Sequence, residues 1–506
     1  MLKKMFTKFM DKWVNLCKEP HKVVAFFAIF LMLFYTVQCS LLQKVLGLDA
    51  LEAFSWGAQG ALGHAKHPPL SGWLSYAISY LGNHKDWILY LAAQLCLAIS
   101  VTFTYKTARI FFDKYSSGVS ALLCYFLFYY NPSETRLCTY PVEMMLIPVC
   151  SYNFFRALKD NKLLNWVALG IFCAAGILNK YSFGLVMIAF AVIFFRRKKN
   201  LQLLKSGKVF AAAAVMLILL APHLKWLYEN DFVCFKHVGA RLADEYKWYT
   251  PLVTLATALY PYGMMLAVLT AALLPDWKKR GRTAIEPQVG TDTLLIGAFP
   301  ALVLVILSFF GNIIMMWFCS MATLTGIALV SFFPIRIDQR YFARIALLLG
   351  IFSLIMMTAS TLDILTKSRP RVHSDPRSYT VAAMNFYRQH AAGKIPLVIG
   401  TRFEATLLEK YLPDHPPACE LGDEVYMARY KDKLQREGAL LIFSSSRLES
   451  KELRDFLADM NVEQITQLPY SRVKYPYKAV WGKKRWRTYY IAYIEPRLIT
   501  AEPSKK

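Results

Sequence analysis

The chain has 506 residues, of which 56% are hydrophobic and only 18% are charged, and its mean hydropathy is +0.32. This composition excludes a disordered chain and an ordinary soluble protein, and it predicts a polytopic membrane protein. The formal net charge of +25 does not indicate a nucleic-acid partner, because the lysines and arginines form short clusters between apolar runs instead of one basic domain.

The first predicted element is a membrane span near residues 23–44, which follows a lysine-rich N-terminal segment. About 20 apolar residues match the ~30 Å hydrocarbon core of a bilayer. The run lacks the shorter apolar core and the small-residue cleavage site of a signal peptide. We therefore expect a retained first span with the N-terminus in the cytoplasm.

The rest of the first 362 residues continues this pattern of apolar runs and charged loops. The eleven runs lie near 23–44, 87–105, 117–130, 144–156, 164–178, 183–195, 208–227, 251–274, 293–310, 313–334 and 343–362. The basic loops are "KTARIFFDK", "RALKDNK", "RRKKNLQLLKSGK", "DWKKRGR" and "RIDQRYFAR", and all fall on the N-terminal side. By the positive-inside rule, about eleven spans starting in the cytoplasm place the C-terminal segment outside.

That segment, residues 363–506, has a different composition. Its short apolar runs "IPLVIG", "ALLIFSS" and "YYIAYIE" are typical of strands, and "FEATLLEKYL" and "ESKELRDFLADM" are typical of helices. This alternation predicts a soluble α/β domain. The expected architecture is an α-helical transmembrane domain, residues 1–362, followed by an outer-face α/β domain, residues 363–506.

The most unusual stretch is the first outer loop, residues 45–86, which carries many ionisable groups beside a span. Asp49, Glu52 and Trp56 recur at spacings of three and four residues, so a helix would place them on one face. "HPP" is expected to stop that helix, and "LSGWLSYAISYL" predicts a second one. We expect both helices to lie in the membrane interface, with His64 in solvent.

The loop pattern D-x2-E-x3-WG-x5-G-x3-HPPL-x2-WL resembles the first outer loop of the GT-C membrane glycosyltransferases. It is most similar to the bacterial branch related to protein O-mannosyltransferases and lipid A aminoarabinose transferases. Asp49 falls where that family has its first-loop acid, and Ala50 replaces the neighbouring family glutamate. "LNKYSFGLV" and "APHLKWLYENDFVCFKH" resemble family elements after the fifth and seventh spans.

The resemblance implies a GT-C fold and a donor that carries one sugar on polyprenyl phosphate. The sugar would be transferred, with inversion, on the outer (periplasmic) face of the cytoplasmic membrane to an envelope acceptor: lipid A, core glycan or protein. Such a transfer needs a base for the acceptor and cations for the departing phosphate.

The roles of individual residues follow from this implied reaction. Asp49 is the candidate base, and Glu52 either assists it or has a structural role. The candidate phosphate and substrate ligands are Lys66, His67, Lys180, Tyr181, Lys236 and Arg241. His67 has a second reading, in which it shapes the turn with the prolines that follow it. Lys66 could instead pair with Asp49 or be a snorkelling lysine at the membrane interface. Lys180 could instead be a helix-end lysine that reaches water.

Glu143 leaves two readings open. It is either a second active-site carboxylate or the polar start of the fourth span. Two carboxylates at one site would permit a divalent metal with oxygen ligands, but the sequence requires no cofactor.

Two other functions compete with a transferase. A transporter or flippase of lipid-linked sugars would favour internal repeats and charges at the middle of the membrane. A structural subunit of an envelope complex would have no reason to gather acids and a lysine in one outer loop. The ionisable residues of this chain gather at one face, which favours the transferase.

Overall fold

The computed structural model describes residues 2–131, 136–242, 246–274 and 286–496. The basic loop at 276–282 and the side chains of residues 240–242 lie outside the described part. Contacts divide the chain into two units. The membrane unit comprises Met1–Thr36, Lys66–Leu70 and Tyr90–Ser360, and the C-terminal unit comprises Val37–Ala65, Ser71–Leu89 and Thr361–Lys506.

The apolar part of the chain is helical throughout its described residues. Its helices are α1 (Leu2–Leu16), α2 (Pro20–Leu42), α3 (Leu48–Ala58), α4 (Leu70–Leu81), α5 (Asp86–Ala108), α6 (Lys114–Leu122), α7 (Thr139–Asp160), α8 (Leu163–Asn179), α9 (Phe183–Phe195), α10 (Lys198–Leu201), α11 (Lys208–Glu229), α12 (Val233–Leu242), α13 (Thr250–Leu273), α14 (Pro287–Leu307), α15 (Thr325–Phe332) and α16 (Gln339–Thr366).

Six helices of the described chain, namely α2, α5, α11, α13, α14 and α16, are long and apolar enough to cross a membrane. A seventh candidate is the pair Met315–Ala322 and Thr325–Phe332, bent by 56° at its break. The four other predicted runs are helical but shorter, interrupted or less apolar: they contain α6 and the 3₁₀ turns after it, α7, α8 and α9. The protein is a multi-pass membrane protein, and eleven complete crossings stay a prediction.

Buried tyrosines in the membrane unit satisfy their hydroxyl groups internally, as a dry environment requires. The Tyr35 hydroxyl donates to Asn131 Oδ1 at 3.2 Å, and the Tyr341 hydroxyl donates to the Leu269 carbonyl at 2.6 Å. These bonds join helices that are far apart in the sequence.

The C-terminal unit contains a five-stranded mixed sheet in the order β2-β1-β3-β5-β4. Its elements are α17 (Pro370–His373), α18 (Pro376–His390), β1 (Val398–Gly400), α19 (Arg402–Tyr411), β2 (Ala418–Glu420), α20 (Glu424–Glu437), β3 (Ala439–Ser444), α21 (Lys451–Asp459), β4 (Tyr470–Tyr477) and β5 (Arg485–Ile494). Strand β1 pairs in parallel with β2 and β3, and β5 pairs antiparallel with β3 and β4. The predicted soluble α/β domain is confirmed.

Most of the first outer loop belongs to the C-terminal unit. The sequence predicts instead that it belongs to the transmembrane domain, residues 1–362. The two predicted helices form as α3 and α4, although α3 ends at Ala58, before "HPP". Residues 50–57 of α3 are all buried, and α3 packs against α19. The expectation that "HPP" stops this helix was wrong, because α3 ends at Ala58. That α3 lies in the membrane interface stays a prediction, although protein covers it on nearly every face.

The expectation that His64 is solvated was also wrong. His64 is fully buried, and its ring stacks on Trp56 with centroids 5.3 Å apart. Its Nδ1 is hydrogen-bonded to the Tyr426 hydroxyl. Trp56 and Tyr426 belong to the hydrophobic core on which the sheet packs, so His64 anchors the loop to that core.

Candidate active site

Glu143 and Lys180 form a buried ion pair in the membrane unit. Lys180 Nζ lies 3.1 Å from Glu143 Oε2, and the two residues are 8% and 2% exposed. Two hydroxyls complete the shell of the carboxylate: Ser182 Oγ donates to Oε1 at 2.8 Å, and Ser320 Oγ donates to Oε2 at 3.0 Å. The charge of Glu143 is thus balanced and hydrogen-bonded, as a buried charge requires.

Local structure explains how this pair forms. Glu143 lies one turn inside α7, and Lys180 adopts an extended conformation that ends α8. The Asn179 side chain donates to the Thr139 carbonyl at 2.9 Å, which ties the turn after α8 to the start of α7. Lys180 Nζ also lies 5.0 Å from the centre of the Tyr140 ring. The alternative reading of Lys180 as a helix-end lysine extending into water was therefore wrong.

Tyr181, the next residue, belongs to an aromatic stack. Its hydroxyl is hydrogen-bonded to His223 Nε2 at 2.9 Å, and its ring stacks on Phe235 with centroids 4.9 Å apart. Lys236 follows Phe235 and is exposed on α12. Arg241 lies on the same helix, but its side chain is outside the described residues.

Asp49 and Glu52 lie on the first turns of α3 in the C-terminal unit. Asp49 is half-buried in the first turn of the helix. Glu52 is 7% exposed and lies 3.1 Å from the Arg402 Nε at the start of α19. Glu52 is thus paired with a cation that the sequence analysis did not identify.

Arg402 is the centre of this acidic group. Its Nε also donates to both carboxylate oxygens of Glu420, each at 3.1 Å. Burial acts to lower the pKa of Arg402, but the negative charges of Glu52, Glu420 and Asp49 act against it, and the resulting pKa is raised. Arg402 therefore stays cationic and holds the acids of α3 against the sheet.

Lys66 and His67 lie on the short segment of the loop that belongs to the membrane unit, where both are half-buried. The prolines that follow them are buried and precede α4. His67 is therefore at the turn where the sequence analysis placed it.

Several residues of these clusters carry no signal in the sequence. Arg402 begins α19 and Glu420 ends β2, in a segment without a recognisable motif. Ser182 and Ser320 are ordinary small residues within apolar stretches. Only the contacts identify them. Within the described residues, no three or more His, Cys, Asp or Glu side chains gather as a metal site would require.

Part of the chain matches a known protein family. Residues 66–226 match the family model of dolichyl-phosphate-mannose-protein mannosyltransferases. The matched region includes Lys66, Glu143 and Lys180, and it begins after Asp49 and Glu52.

The fold of this chain is similar to that of ArnT from Cupriavidus metallidurans in the apo state. The TM-score is 0.56 at 14% identity, covering 93% of this chain and 97% of that chain. The same enzyme bound to undecaprenyl phosphate gives a TM-score of 0.55. The fold is that of the GT-C glycosyltransferases. The GT-C fold predicted from the first outer loop is thereby confirmed.

Two curated relatives of this GT-C chain come from Rhizobium johnstonii. The lipopolysaccharide core galacturonosyltransferase RgtB is 25% identical over 232 residues, 45% of this chain and 46% of RgtB. The lipopolysaccharide core galacturonosyltransferase RgtA is 22% identical over 334 residues, 64% of this chain and 62% of RgtA. The aligned regions thus span less than two thirds of either relative.

Proposed function

We propose that this protein is a membrane glycosyltransferase that moves one sugar from polyprenyl phosphate to a glycan or lipid of the cell envelope. The observation that carries the proposal is the GT-C architecture shared with ArnT along 93% of the chain. That enzyme has been solved with undecaprenyl phosphate, and the two curated relatives are named for transfer to the lipopolysaccharide core. We further propose that transfer occurs on the outer face of the cytoplasmic membrane.

Asp49 is the residue we assign as the base. The other acid of α3, Glu52, is buried and paired with Arg402, so its charge already has a structural partner. Asp49 is more accessible and lies in the first turn of α3. Its carboxylate accepts the proton of an acceptor hydroxyl, whose oxygen bonds to the anomeric carbon as the bond to the phosphate oxygen breaks.

The lysines are assigned to the donor phosphate. Lys66 lies within the loop motif, directly before "HPPL". Lys180 is a buried cation with three N–H donors, one of which meets Glu143. An ammonium group in a poorly solvated site interacts strongly with a phosphate and stabilises the polyprenyl phosphate that departs. Tyr181, His67, Lys236 and Arg241 stay as proposed contributors to substrate binding.

The acceptor we favour is a core oligosaccharide on a lipid anchor, because both curated relatives are named for it. A transporter or flippase of lipid-linked sugars is the second candidate from the sequence. The two functions separate in one assay, since only a transferase converts the donor to free polyprenyl phosphate in a single turnover.

The test uses the purified full chain in nanodiscs, with undecaprenyl-phosphate-linked galacturonic acid as donor and lipopolysaccharide core as acceptor. Asp49→Asn should lower single-turnover transfer by about 10²–10⁴, the usual loss for a positioned base, while undecaprenyl phosphate binding stays unchanged. Lys66→Ala should weaken both binding and turnover. The matched control is Asp432→Asn on exposed α20, which should leave both unchanged.

Transfer by Asp49→Asn above about a tenth of the wild-type rate would contradict the assignment of a base. If the nucleophile were a phosphate group, already ionised at neutral pH, no base would be needed. Asp49 would then orient the acceptor, and the pH profile of the wild-type rate would show no ionisation of a carboxyl group.

A further inference from the structure

A strongly basic hairpin extends from the sheet of the C-terminal unit. It consists of β4, β5 and the loop between them, and we call residues 470–487 the basic hairpin. This stretch contains seven lysines and arginines and no aspartate or glutamate. The exposed ones are Arg472, Lys474, Lys478, Lys483, Lys484 and Arg485. The seventh, Arg487, is half-buried and pairs with Glu404 at 2.9 Å.

The six exposed cations form no ion pair within the described part of the chain. Strand β4 is an edge strand, and edge strands often carry lysines that prevent pairing with other chains. That explanation does not cover the apolar side chains beside them. Val480, Trp481 and Trp486 are 63%, 65% and 50% exposed.

The position of the hairpin tip explains both the exposed cations and the exposed apolar side chains. The backbone N–H of Trp481 donates to the carbonyl of Leu365 at 2.8 Å, and the Ser368 hydroxyl donates to the Lys483 carbonyl at 2.7 Å. Leu365 is in the last turn of α16, a 28-residue candidate span. The tip is therefore fixed where the last span ends and the chain leaves the apolar part of the bilayer.

The side chains of the hairpin are of the kinds that occur at a membrane–water interface. Lys474 and Lys484 lie 5.6 and 4.6 Å from the centre of the Trp486 ring, so cations and an indole share one surface. Exposed tryptophans are enriched at the membrane–water interface. Lysines and arginines beside a span attract anionic lipid headgroups.

We propose that the basic hairpin binds the phosphate groups of anionic phospholipids in the leaflet where α16 ends. Val480 and Trp481 enter the interfacial layer, and the exposed cations hold the surrounding headgroups. This contact keeps the sheet of the C-terminal unit at the membrane surface. The inference rests on the hairpin and on α16, and it does not depend on the transferase activity.

The test places a fluorescent label on Val480→Cys in the full-length protein. All ten native cysteines are buried, so the label attaches selectively. The protein is reconstituted in nanodiscs of phosphatidylcholine alone or mixed with phosphatidylglycerol, and quenching by a lipid with a nitroxide near its headgroup is measured. Phosphatidylglycerol should increase the quenching. Because each basic group near an anionic surface contributes on the order of a fivefold preference, Lys483→Glu/Lys484→Glu/Arg485→Glu should abolish the increase.

The matched control reverses three exposed cations elsewhere in the same unit, Lys431→Glu/Lys451→Glu/Arg454→Glu, and should respond as the wild type does. If the triple hairpin variant fails to fold, Lys474→Gln/Lys484→Gln should reduce the response in part. Equal quenching in both lipid mixtures would overturn the proposal. A label that responds only to added lipopolysaccharide would also overturn it, because the surface would then be an acceptor site.

Discussion

At the scale of single residues, the buried charges near the candidate site occur in pairs. Glu143 is balanced by Lys180, and Glu52 is balanced by Arg402. Removing one member of a buried pair leaves an uncompensated charge and typically costs about 3–5 kcal/mol, whereas removing both costs much less. Comparing the single variants with the double variant can therefore distinguish a structural role of Lys180 from a role in phosphate binding.

We predict that Lys180→Met and Glu143→Gln each destabilise the protein by about 3–5 kcal/mol, and that the double variant recovers most of that loss. Thermal unfolding in detergent measures the stability. Binding of undecaprenyl phosphate should stay weak in every variant that lacks Lys180, including the double variant. Full recovery of binding in the double variant would show that Lys180 serves only the fold.

Glu409 is a buried carboxyl group on α19. Its Oε2 has no hydrogen-bond partner within the described residues. Burial raises the pKa of Glu409 from 4.5 to about 8, although hydrogen bonds from Ser55 and the Ala418 backbone act in the other direction. The folded protein therefore holds this group protonated at pH values where the unfolded chain ionises it.

This raised pKa predicts a loss of stability with rising pH. The contribution is fully present below pH 4.5 and falls by about 1.4 kcal/mol per pH unit up to about pH 8, since only unfolding lets Glu409 ionise. Glu409→Gln should make the unfolding midpoint less dependent on pH in this window. Glu437→Gln, on the exposed end of α20, is the control. Parallel curves for Glu409→Gln and the wild type would contradict the assigned pKa.

The sequence predicts part of this residue-level picture. The spacing of Asp49 and Glu52 predicts their helix, and the resemblance to a known family singles out Asp49 and Lys180. It does not predict Arg402, because the contact between Arg402 and Glu52 depends on tertiary folding and not on local spacing. The protonation state of Glu409 depends on its burial, which the spacing of residues in the sequence does not predict.

At the scale of elements, α3 and α4 form a tightly packed pair that carries the candidate base. A Cβ atom on Gly57 would lie 2.1 Å from the Gly72 carbonyl oxygen and 2.5 Å from the Tyr76 Cβ. Both obstacles are backbone or close to it, so they cannot move aside as the end of a long side chain would. The two helices can cross at this distance only because Gly57 has no side chain.

Gly57→Ala should therefore force α3 away from α4 and destabilise the C-terminal unit by about 1–3 kcal/mol or more. It should also lower transfer, because Asp49 moves with α3. Unfolding midpoint and single-turnover rate measure the two effects. Gly350→Ala is the matched control, since a Cβ there meets nothing within 4 Å. An unchanged midpoint for Gly57→Ala would show that the helices can separate without cost.

The sequence pattern predicts α3 and α4 as helices, and it predicts β1, β3 and β5 as strands. It misses β2 because "ACE" does not form an apolar run as "IPLVIG" around β1 does. It misses β4 because "YSRVKYPY" contains two charged residues and a proline. It does not predict that the apolar residues of α3 pack against α19, because that contact joins parts of the chain that are far apart in the sequence.

At the scale of the whole molecule, the charges of the loops predict how the chain crosses the membrane. Composition and the positive-inside rule predict the polytopic class, and the similarity to ArnT confirms the fold. They do not predict that residues 37–65 and 71–89 join residues after 361 in one unit. That association is set by contacts between the two ends of the chain.

The loop charges predict the orientation of the protein. A reporter that is active only in the cytoplasm should be active when fused after residue 202, where Lys198, Lys199 and Lys205 are exposed. A reporter that is active only outside should be active when fused after residue 370. Exchanging the two reporters provides the control. The opposite result at either position would contradict the eleven-span prediction and would place Asp49 on the other face.

The pairing of the first outer loop with the last part of the chain also affects biosynthesis. The Gln59 side chain donates to the Ala418 carbonyl at 3.1 Å, across 359 positions of sequence. At translation rates of about 5–20 residues per second, Ala418 emerges from the ribosome about 20–70 s after Gln59. During that interval α3 has left the ribosome while the helix and sheet that cover it do not yet exist. The apolar faces of the first outer loop therefore have no folded partner in each new molecule until synthesis is nearly finished.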